Sequence, residues 1–184
     1  MILTPTDIAG VVVVTPELRA DDRGFFARTF CAREFEAAGL RPLVAQANVS
    51  FNHRAGTLRG LHYQRPPAEE AKLVRCTRGR VFDVAVDVRP ASPTYLRHVG
   101  VVLDAEERNA LYVPEGFAHG YLTLEDGCEV AYHASEFYTP EAEEGIRWDD
   151  PALAIAWPHE VRVVSAKDSG WPDLERCPLT PPRP

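Results

Sequence analysis

The sequence predicts an all-β protein, an antiparallel β-sandwich or barrel with few short helices. Short segments of β-branched or alternating apolar residues follow one another at close spacing, and Gly, Pro, Asp and Asn separate them. Residues 32–38, which stop at Gly39, form the one convincing helical pattern, about two turns long. Many short strands with turns between them and almost no helix are typical of sandwiches and barrels.

The strands are predicted in chain order from local composition. Residues 11–14 are a β-branched run, and a turn at residues 21–24 leads into a short extended piece at residues 25–30. Residues 46–51 carry the amides of Gln46 and Asn48 on one face. The other predicted strands cover residues 57–63, 72–77, 80–88, 98–103, 110–113, 120–124 and 129–135, with a last one around Ile155 and Trp157.

Length and composition indicate one domain. With 184 residues, 45% of them hydrophobic, the chain is long enough for one substantial core, which we expect over residues 1–175. Residues 176–184 are rich in proline and poor in apolar side chains, so this tail is predicted to be loosely ordered.

Charge and cysteine usage narrow the function classes. A net charge of -7 argues against nucleic-acid binding, which needs a dense basic face, although a few converging basic residues can still bind a phosphorylated small molecule. The four cysteines, Cys31, Cys76, Cys128 and Cys177, are far apart and are predicted to be reduced thiols. Without a signal-peptide pattern or an apolar run of membrane length, we expect a cytoplasmic protein without membrane contacts.

The stretch GTLRGLHYQ, residues 56–64, places several side chains suited to binding or catalysis in one predicted strand. Arg59 is suited to holding an anion and His62 to moving a proton. The two residues differ in parity, so a regular strand would point them to opposite faces, whereas a bulge at Gly60 would bring both to one face. In the strand at residues 80–88, Asp83 and Asp87 alternate with valines and predict either a solvent face or the wall of a polar cavity.

His119 follows the turn motif YVPEGFAHG, residues 112–120. The form PxGxxH resembles the motif by which cupin-type jelly rolls aim a histidine into the barrel. Metal-binding cupins also carry HxH on a preceding strand, where this chain has His62, Tyr63 and Gln64. Two histidines without a third ligand favour a metal-free role in acid/base or hydrogen-bonding work.

Eight motifs, in order along nearly the whole chain, carry a more specific resemblance. They are RGFF at 23–26, QANVSF at 46–51, GTLRGLHYQ at 56–64, KLVRCTRGRVFDVAVDVR at 72–89, SPTY at 92–95, PEGFAHG at 114–120, YHASEFYTPEAEEGIRWDDP at 132–151 and SAKD at 165–168. The chain resembles the nucleotide-sugar 3,5-epimerases typified by dTDP-4-dehydrorhamnose 3,5-epimerase. The resemblance implies a jelly-roll fold, no cofactor, and inversion of the carbons that flank a C4 ketone.

The resemblance also implies catalytic roles. His62 matches the base, Lys72 the cation beside the enolate oxygen and Tyr132 the proton donor on the opposite face of the ring. A neutral imidazole accepts a proton at working pH, a phenol stays protonated, and a charged donor stabilises an enolate. Asp168 matches the carboxylate that orients His62, and Asp83 is a second candidate for that part.

Substrate contacts carry over in the same way. The residues implied are Arg23, Phe26, Arg28, Gln46, Asn48, Arg59, His119, Tyr138, Glu143 and Lys167. Arg28 departs from the family, which often has a glutamate that contacts the nucleotide there, so the hydrogen-bond preference at that point is reversed. Relatives form homodimers, and we expect one here.

Three alternatives stay open. The enzyme could invert only C3 or only C5 of a nucleotide-linked 4-keto sugar. It could be a metal-dependent cupin oxygenase that uses His62 and His119. It could also be a non-catalytic module that binds sugar nucleotides.

Overall fold

The computed structural model describes residues 1–174, so Cys177 and the predicted tail at residues 176–184 lie outside the described part of the chain. Within it the polypeptide forms two antiparallel sheets that face each other. The strands are β1 (Ile2–Pro5), β2 (Val12–Thr15), β3 (Arg19–Asp21), β4 (Gly24–Phe26), β5 (Gln46–Asn52), β6 (Leu58–Gln64), β7 (Lys72–Arg78), β8 (Arg80–Asp87), β9 (His98–Asp104), β10 (Ala110–Val113), β11 (Phe117–Thr123), β12 (Cys128–Ala134) and β13 (Glu143–Gly145).

One sheet has six strands in the order β1-β2-β10-β7-β12-β5, and the other has five in the order β13-β6-β11-β8-β9. Strands β3 and β4 form a separate hairpin. All of these pairings are antiparallel, so the predicted all-β sandwich is confirmed.

Helices are short in the described chain. Helix α1 (Ala32–Ala37) confirms the predicted helix and lays Phe35 against Tyr112 on the outer face of the six-stranded sheet. A single 3₁₀ turn covers Pro140–Ala142, and α2 (Ala166–Ser169) was not predicted. Neither α1 nor α2 is long enough to cross a membrane.

The predicted strand around Ile155 and Trp157 is wrong, because this segment has no sheet partner. Trp157 instead packs edge-on against Phe82, with 6.0 Å between ring centroids, and its indole donates to the carbonyl of Trp148. The extended piece predicted to reach residue 30 ends as a strand at Phe26. Apolar residues can thus cover the face of a sheet without pairing with one of its strands.

The core occupies two layers. Between the sheets, one end of the sandwich is filled by buried apolar side chains such as Val74, Val81 and Leu103. On the outer face of the five-stranded sheet, Leu61 and other strand residues are covered by the chain after β13. Burying each such side chain contributes about 1.5–3 kcal/mol, so both faces of the five-stranded sheet stabilise the fold.

The charged face of β8 points inward, and both of its aspartates are fully buried. Asp87 accepts hydrogen bonds from Arg89, Ser92 and Thr94, which follow in the next loop. Burial opposes its ionisation, but these donors hold the pKa of Asp87 at about 2. Asp87 therefore anchors a loop instead of lining an open cavity.

Candidate active site

A bulge in β6 brings Arg59 and His62 to the same face. In the register with β11, His62 lies opposite His119 while Arg59 lies opposite Tyr121, so the two residues Gly60 and Leu61 lie opposite the single residue Gly120. Gly60, with φ of +123°, lies in the bulge, and a Cβ there would come within 2.5 Å of the Gly120 Cα. The predicted bulge is confirmed, and glycine is required because the two backbones touch.

His62 is held by Asp168. The distance from His62 Nε2 to Asp168 Oδ1 is 2.7 Å, and the Gly60 N–H donates to the other carboxylate oxygen. Burial acts to raise the pKa of Asp168, but the interactions with His62 and with the Gly60 N–H outweigh burial and leave the pKa below its ordinary value. With Nε2 engaged by an anionic carboxylate, Nδ1 is the ring nitrogen available to a ligand.

Asp168 itself is fixed by the start of α2. Ser165 is the N-cap of this short helix, and its side-chain oxygen accepts a hydrogen bond from the Asp168 N–H at 3.0 Å. The edge of the Trp171 ring lies against His62, with 6.4 Å between ring centroids. The imidazole is thus oriented from two sides by residues that follow the last strand.

A cavity of about 450 Å³ lies between the sheets at the end opposite the dry core. Its walls are formed by Gln46, Asn48, His62, Tyr63, Gln64, Glu70, Lys72, Tyr132, Ala134, Tyr138, Glu143 and Lys167. His62 comes from the five-stranded sheet, whereas Lys72 and Tyr132 come from the six-stranded sheet. The base and the proton donor implied by the resemblance therefore share one cavity and approach it from different walls.

The register of the six-stranded sheet groups the polar side chains on that wall. Tyr132 is the cross-strand partner of Asn48, and Ala134 is the partner of both Gln46 and Lys72. Burial raises the pKa of the Tyr132 phenol, and the negative charge of Glu70 adds to the effect. The phenol is therefore protonated at neutral pH, as a proton donor must be.

The mouth of the cavity is a chain of hydrogen bonds. The side chain of Gln46 accepts from the Tyr138 N–H at 2.8 Å, and the Tyr138 hydroxyl donates to Glu143 at 2.6 Å. Lys167 Nζ also donates to Glu143, at 2.5 Å. Burial tends to raise the pKa of Glu143, but Lys167 and Tyr138 lower it overall, so this carboxylate is charged and tied to two neighbours.

Arg59 lines an adjoining cavity of about 410 Å³, which also has His62 and Lys167 in its wall. Its Nε donates to the side-chain oxygen of Asn52 at 2.8 Å, and Asn52 is itself buried. The remaining guanidinium nitrogens can then face a ligand. Arg59 and Lys167 give this side of the cleft two cationic groups suited to phosphate oxygens.

His119 forms a second His–Asp pair. Its Nε2 lies 3.0 Å from each oxygen of Asp83, and the aspartate is fully buried. Asp83 therefore serves His119, and it is Asp168 that contacts His62. As the cross-strand partner of His62, His119 supports the floor of the site.

Arg23, Phe26 and Arg28 are not brought to either cavity within one chain. The side chain of Arg23 is 89% exposed and pairs with Asp21, and Phe26 is also exposed. Arg28 bonds to Glu34 of α1, which packs on the outer face of the six-stranded sheet. The three residues stay predictions for substrate contact.

Sequence reasoning missed Glu70 and Asn52 as members of the site. Glu70 lies 3.0 Å from Lys72 Nζ, yet the segment PAEEAK has the composition of a solvated loop. The one available signal is its position two residues before Lys72, on the same face of an extended chain.

Metal ligands and thiols add little to the site. Among residues 1–174, no group of three His, Cys, Asp or Glu side chains is arranged to hold a metal ion. Cys31, Cys76 and Cys128 are free thiols, as predicted for these three.

A β-sandwich whose interior sets a carboxylate-held imidazole, a protonated phenol and an ammonium around one cavity defines a class of protein: jelly-roll isomerases that move carbon-bound protons of a sugar. The chain belongs to the dTDP-4-dehydrorhamnose 3,5-epimerase family, whose model matches residues 5–176. The cupin-type fold and the family implied by the sequence motifs are thereby confirmed.

Relatives and solved structures agree over nearly the full length. A dTDP-4-dehydrorhamnose 3,5-epimerase of Methanothermobacter thermautotrophicus is 45% identical over 177 residues, which are 95% of each chain. The crystal structure of a dTDP-6-deoxy-D-glucose-3,5-epimerase from Legionella pneumophila in complex with dTDP-4-keto-L-rhamnose matches with a TM-score of 0.90 and 38% identity, covering 99% of this chain and 98% of that one. A dTDP-4-dehydrorhamnose 3-epimerase of Streptomyces niveus is 44% identical over 169 residues, which are 91% of this chain and 81% of that relative.

Proposed function

We propose that the protein converts dTDP-4-dehydro-6-deoxy-D-glucose into dTDP-4-dehydro-L-rhamnose by inverting C3 and C5. The observation that carries the proposal is the placement of His62 and Tyr132 on different walls of one cavity, with Lys72 beside Tyr132. Inversion at carbon requires a proton to leave one face of the ring and another to arrive at the opposite face. Two groups on facing walls provide this arrangement.

The C4 ketone makes the protons on C3 and C5 acidic. His62 takes one of these protons, and the electron pair moves into an enolate whose oxygen is stabilised by the Lys72 ammonium. Tyr132 then donates its phenolic proton to the opposite face of the same carbon. Proton exchange with solvent restores a neutral His62 and a protonated Tyr132 before the second carbon reacts.

The nucleotide diphosphate would occupy the mouth and the adjoining cavity. Arg59 and Lys167 supply donors for the diphosphate and sugar, and Gln46, Asn48, Tyr138 and Glu143 supply polar and ring contacts. His119, which the resemblance implies as a further contact, lines neither cavity and supports the floor of the site from below. Binding of a dTDP-linked 4-keto sugar by the Legionella pneumophila relative supports this substrate class.

The expected homodimer would give the hairpin β3-β4 a function. Arg23, Phe26 and Arg28 lie away from both cavities of their own chain, and large apolar side chains are exposed on the hairpin and on edge strand β5. A second copy that covers these side chains could set the hairpin against its partner's cleft. Sedimentation equilibrium tests this: a monomer at micromolar concentration contradicts it.

Reduced thiols also fit the cytoplasm, where we expect the enzyme to act.

Incubation of enzyme and keto sugar in deuterated water tests the reaction. The proposal predicts deuterium at both C3 and C5 of the product, read by NMR. Tyr132→Phe, which keeps the ring but removes the acid, should allow exchange by His62 while slowing net inversion by about 10²-fold. The absence of label at both carbons would refute the proposal.

Inversion at one carbon alone is the second candidate. It is favoured by the 44% identical Streptomyces niveus relative, which is a 3-epimerase. Label at C3 without label at C5 would assign this chain to that activity and leave the roles of His62, Lys72 and Tyr132 unchanged.

A further inference from the structure

Lysine is confined to the site. Of the 20 Lys and Arg residues in the chain, Lys72 and Lys167 are the only lysines. Both line the 450 Å³ cavity, and each is paired with a glutamate that also lines it. The sequence thus uses arginine elsewhere and places an ammonium at two points of one cavity, each with a carboxylate beside it.

The two pairs differ in their surroundings. The Lys167 side chain is 50% exposed and meets Glu143 at the mouth. In the other pair, Lys72 and Glu70 are 11% and 12% exposed, with 3.0 Å between Nζ and the carboxylate oxygen. In the outer pair the lysine is half exposed and only Glu143, at 13%, is shielded, whereas both members of the inner pair have lost most of their contact with water.

The Glu70 carboxylate has one unfavourable and one favourable effect on the proposed reaction. An anion close to a developing enolate opposes the charge that Lys72 is there to stabilise. A nearly buried ammonium, however, has lost most of its hydration, and an opposite charge nearby offsets that loss. It also needs one of its three N–H bonds fixed so that the others point in defined directions.

We propose that Glu70 is a positioning residue: it holds Lys72 Nζ at the cavity wall as a charged donor and directs its free N–H bonds at the ketone oxygen of the substrate. This inference rests on the proposed function, in which Lys72 stabilises the enolate. Glu70 acts through Lys72 and has no bond to the reacting carbons.

The neighbourhood of Tyr132 is consistent with a second effect of the same carboxylate. Burial is the main cause that raises the pKa of the phenol, and the charge of Glu70 comes next, followed by Tyr121, while Arg59 opposes them. Glu70 thus favours the protonated state of the Tyr132 phenol in addition to its contact with Lys72.

Kinetics of two Glu70 variants test the proposal. We expect Glu70→Ala to lower kcat by about 10- to 100-fold while KM changes less than about twofold, because a displaced donor weakens transition-state contacts more than ground-state binding. Glu70→Gln keeps an acceptor oxygen but loses the charge, so kcat should fall only about three- to tenfold. The matched control is Glu69→Gln on the same loop, which should stay within about twofold of the unaltered enzyme.

Two kinetic outcomes would overturn the proposal. One is Glu70→Ala with kcat within twofold of the unaltered enzyme, and the other is a rise in KM with kcat unchanged, which would make Glu70 a substrate-binding group. Thermal unfolding of both variants separates these results from a loss of folded protein.

A measurement without turnover tests the positioning directly. Because the chain has two lysines, labelling with [ε-¹³C]lysine gives two side-chain signals, which Lys167→Arg assigns. We expect Glu70→Ala to increase the fast motion of the Lys72 ε-carbon in ¹³C relaxation and to leave Lys167 unchanged. Equal mobility of Lys72 with and without Glu70 would refute the inference. If the unaltered protein labels neither C3 nor C5 of the keto sugar, the proposed function fails, yet the relaxation result still decides the role of Glu70.

Discussion

The molecule contains two histidine–aspartate pairs on neighbouring strands, and they differ in access. The pair of His62 and Asp168 lies at the cavity, with the imidazole side chain 28% exposed. The pair of His119 and Asp83 lies deeper, with the histidine side chain 9% exposed and the aspartate fully buried. His62 can therefore exchange a proton with a ligand, whereas His119 is enclosed by protein.

The two pairs are also built differently. Asp83 stands on central strand β8 and shares its two oxygens equally with His119. Asp168 belongs to a four-residue helix after the last strand, and it binds His62 through one oxygen and the Gly60 N–H through the other. Identical side chains thus have different surroundings, because the sheet encloses the pair of His119 and Asp83 while the cavity is open to the pair of His62 and Asp168. The proposed function assigns catalysis to the open pair.

The largest expected effect is the loss of turnover when His62, the more exposed histidine, is replaced. His62→Asn removes the base, and we expect kcat/KM to fall by about 10³-fold or more. The matched change His119→Asn should cost about tenfold, since an amide can still bond to Asp83. Steady-state assays of both variants measure this, and equal losses would contradict the division of roles.

The second effect concerns stability, where the enclosed pair of His119 and Asp83 should matter more than the open pair of His62 and Asp168. Asp83→Ala leaves a buried imidazole without its partner and should lower the free energy of unfolding by about 3 kcal/mol. Asp168→Ala exposes its histidine to a hydrated cavity and should cost about 1 kcal/mol. Urea denaturation followed by fluorescence distinguishes the two, and a larger loss for Asp168→Ala would break the comparison.

A smaller effect sharpens the role of the helix that carries Asp168. Ser165→Ala removes the side-chain N-cap and should lower stability by about 1 kcal/mol. Because Asp168 then orients His62 less firmly, we expect kcat to fall several-fold with little change in KM. The control Ser169→Ala, at the other end of α2, should leave kcat unaltered.

The smallest effect is on the pH dependence of stability. The folded-state pKa of Asp168 lies below its ordinary value, so its contribution is present above the unfolded pKa and is lost as the pH falls through the folded pKa. Asp168→Asn should therefore make stability fall less steeply as the solution is acidified from neutral pH to below the unfolded pKa. Unfolding midpoints across this range measure the slope, and parallel curves would contradict the expectation.

Local sequence patterns predicted most of the fold and part of the site. The bulge at Gly60 was predictable because Arg59 and His62 could share a face only through an irregularity. Strand β12 was predictable because its apolar residues alternate with polar ones. The partner of His62 came from the family motif SAKD, because no periodic pattern connects residues 62 and 168.

The missed elements depend on contacts that composition does not encode. Strand β13 is Glu-Glu-Gly and becomes a strand because it pairs with β6. Glu70 belongs to a charged loop, and only the fold brings it into a nearly dry wall. The segment at Ile155 has a strand-like composition but meets the side chains of a sheet instead of its edge.

The scarcity of lysine has a practical consequence. Reagents that acylate amines find the terminal amine, which is bonded to Glu17 and Glu34, and two ε-amines, both in the walls of the cavity. Tethering this protein to a resin or a dye through its two lysines would therefore obstruct the entrance of the cavity. Coupling through surface carboxylates would leave that entrance free, and protection of Lys72 and Lys167 from acylation would report when the cleft is filled.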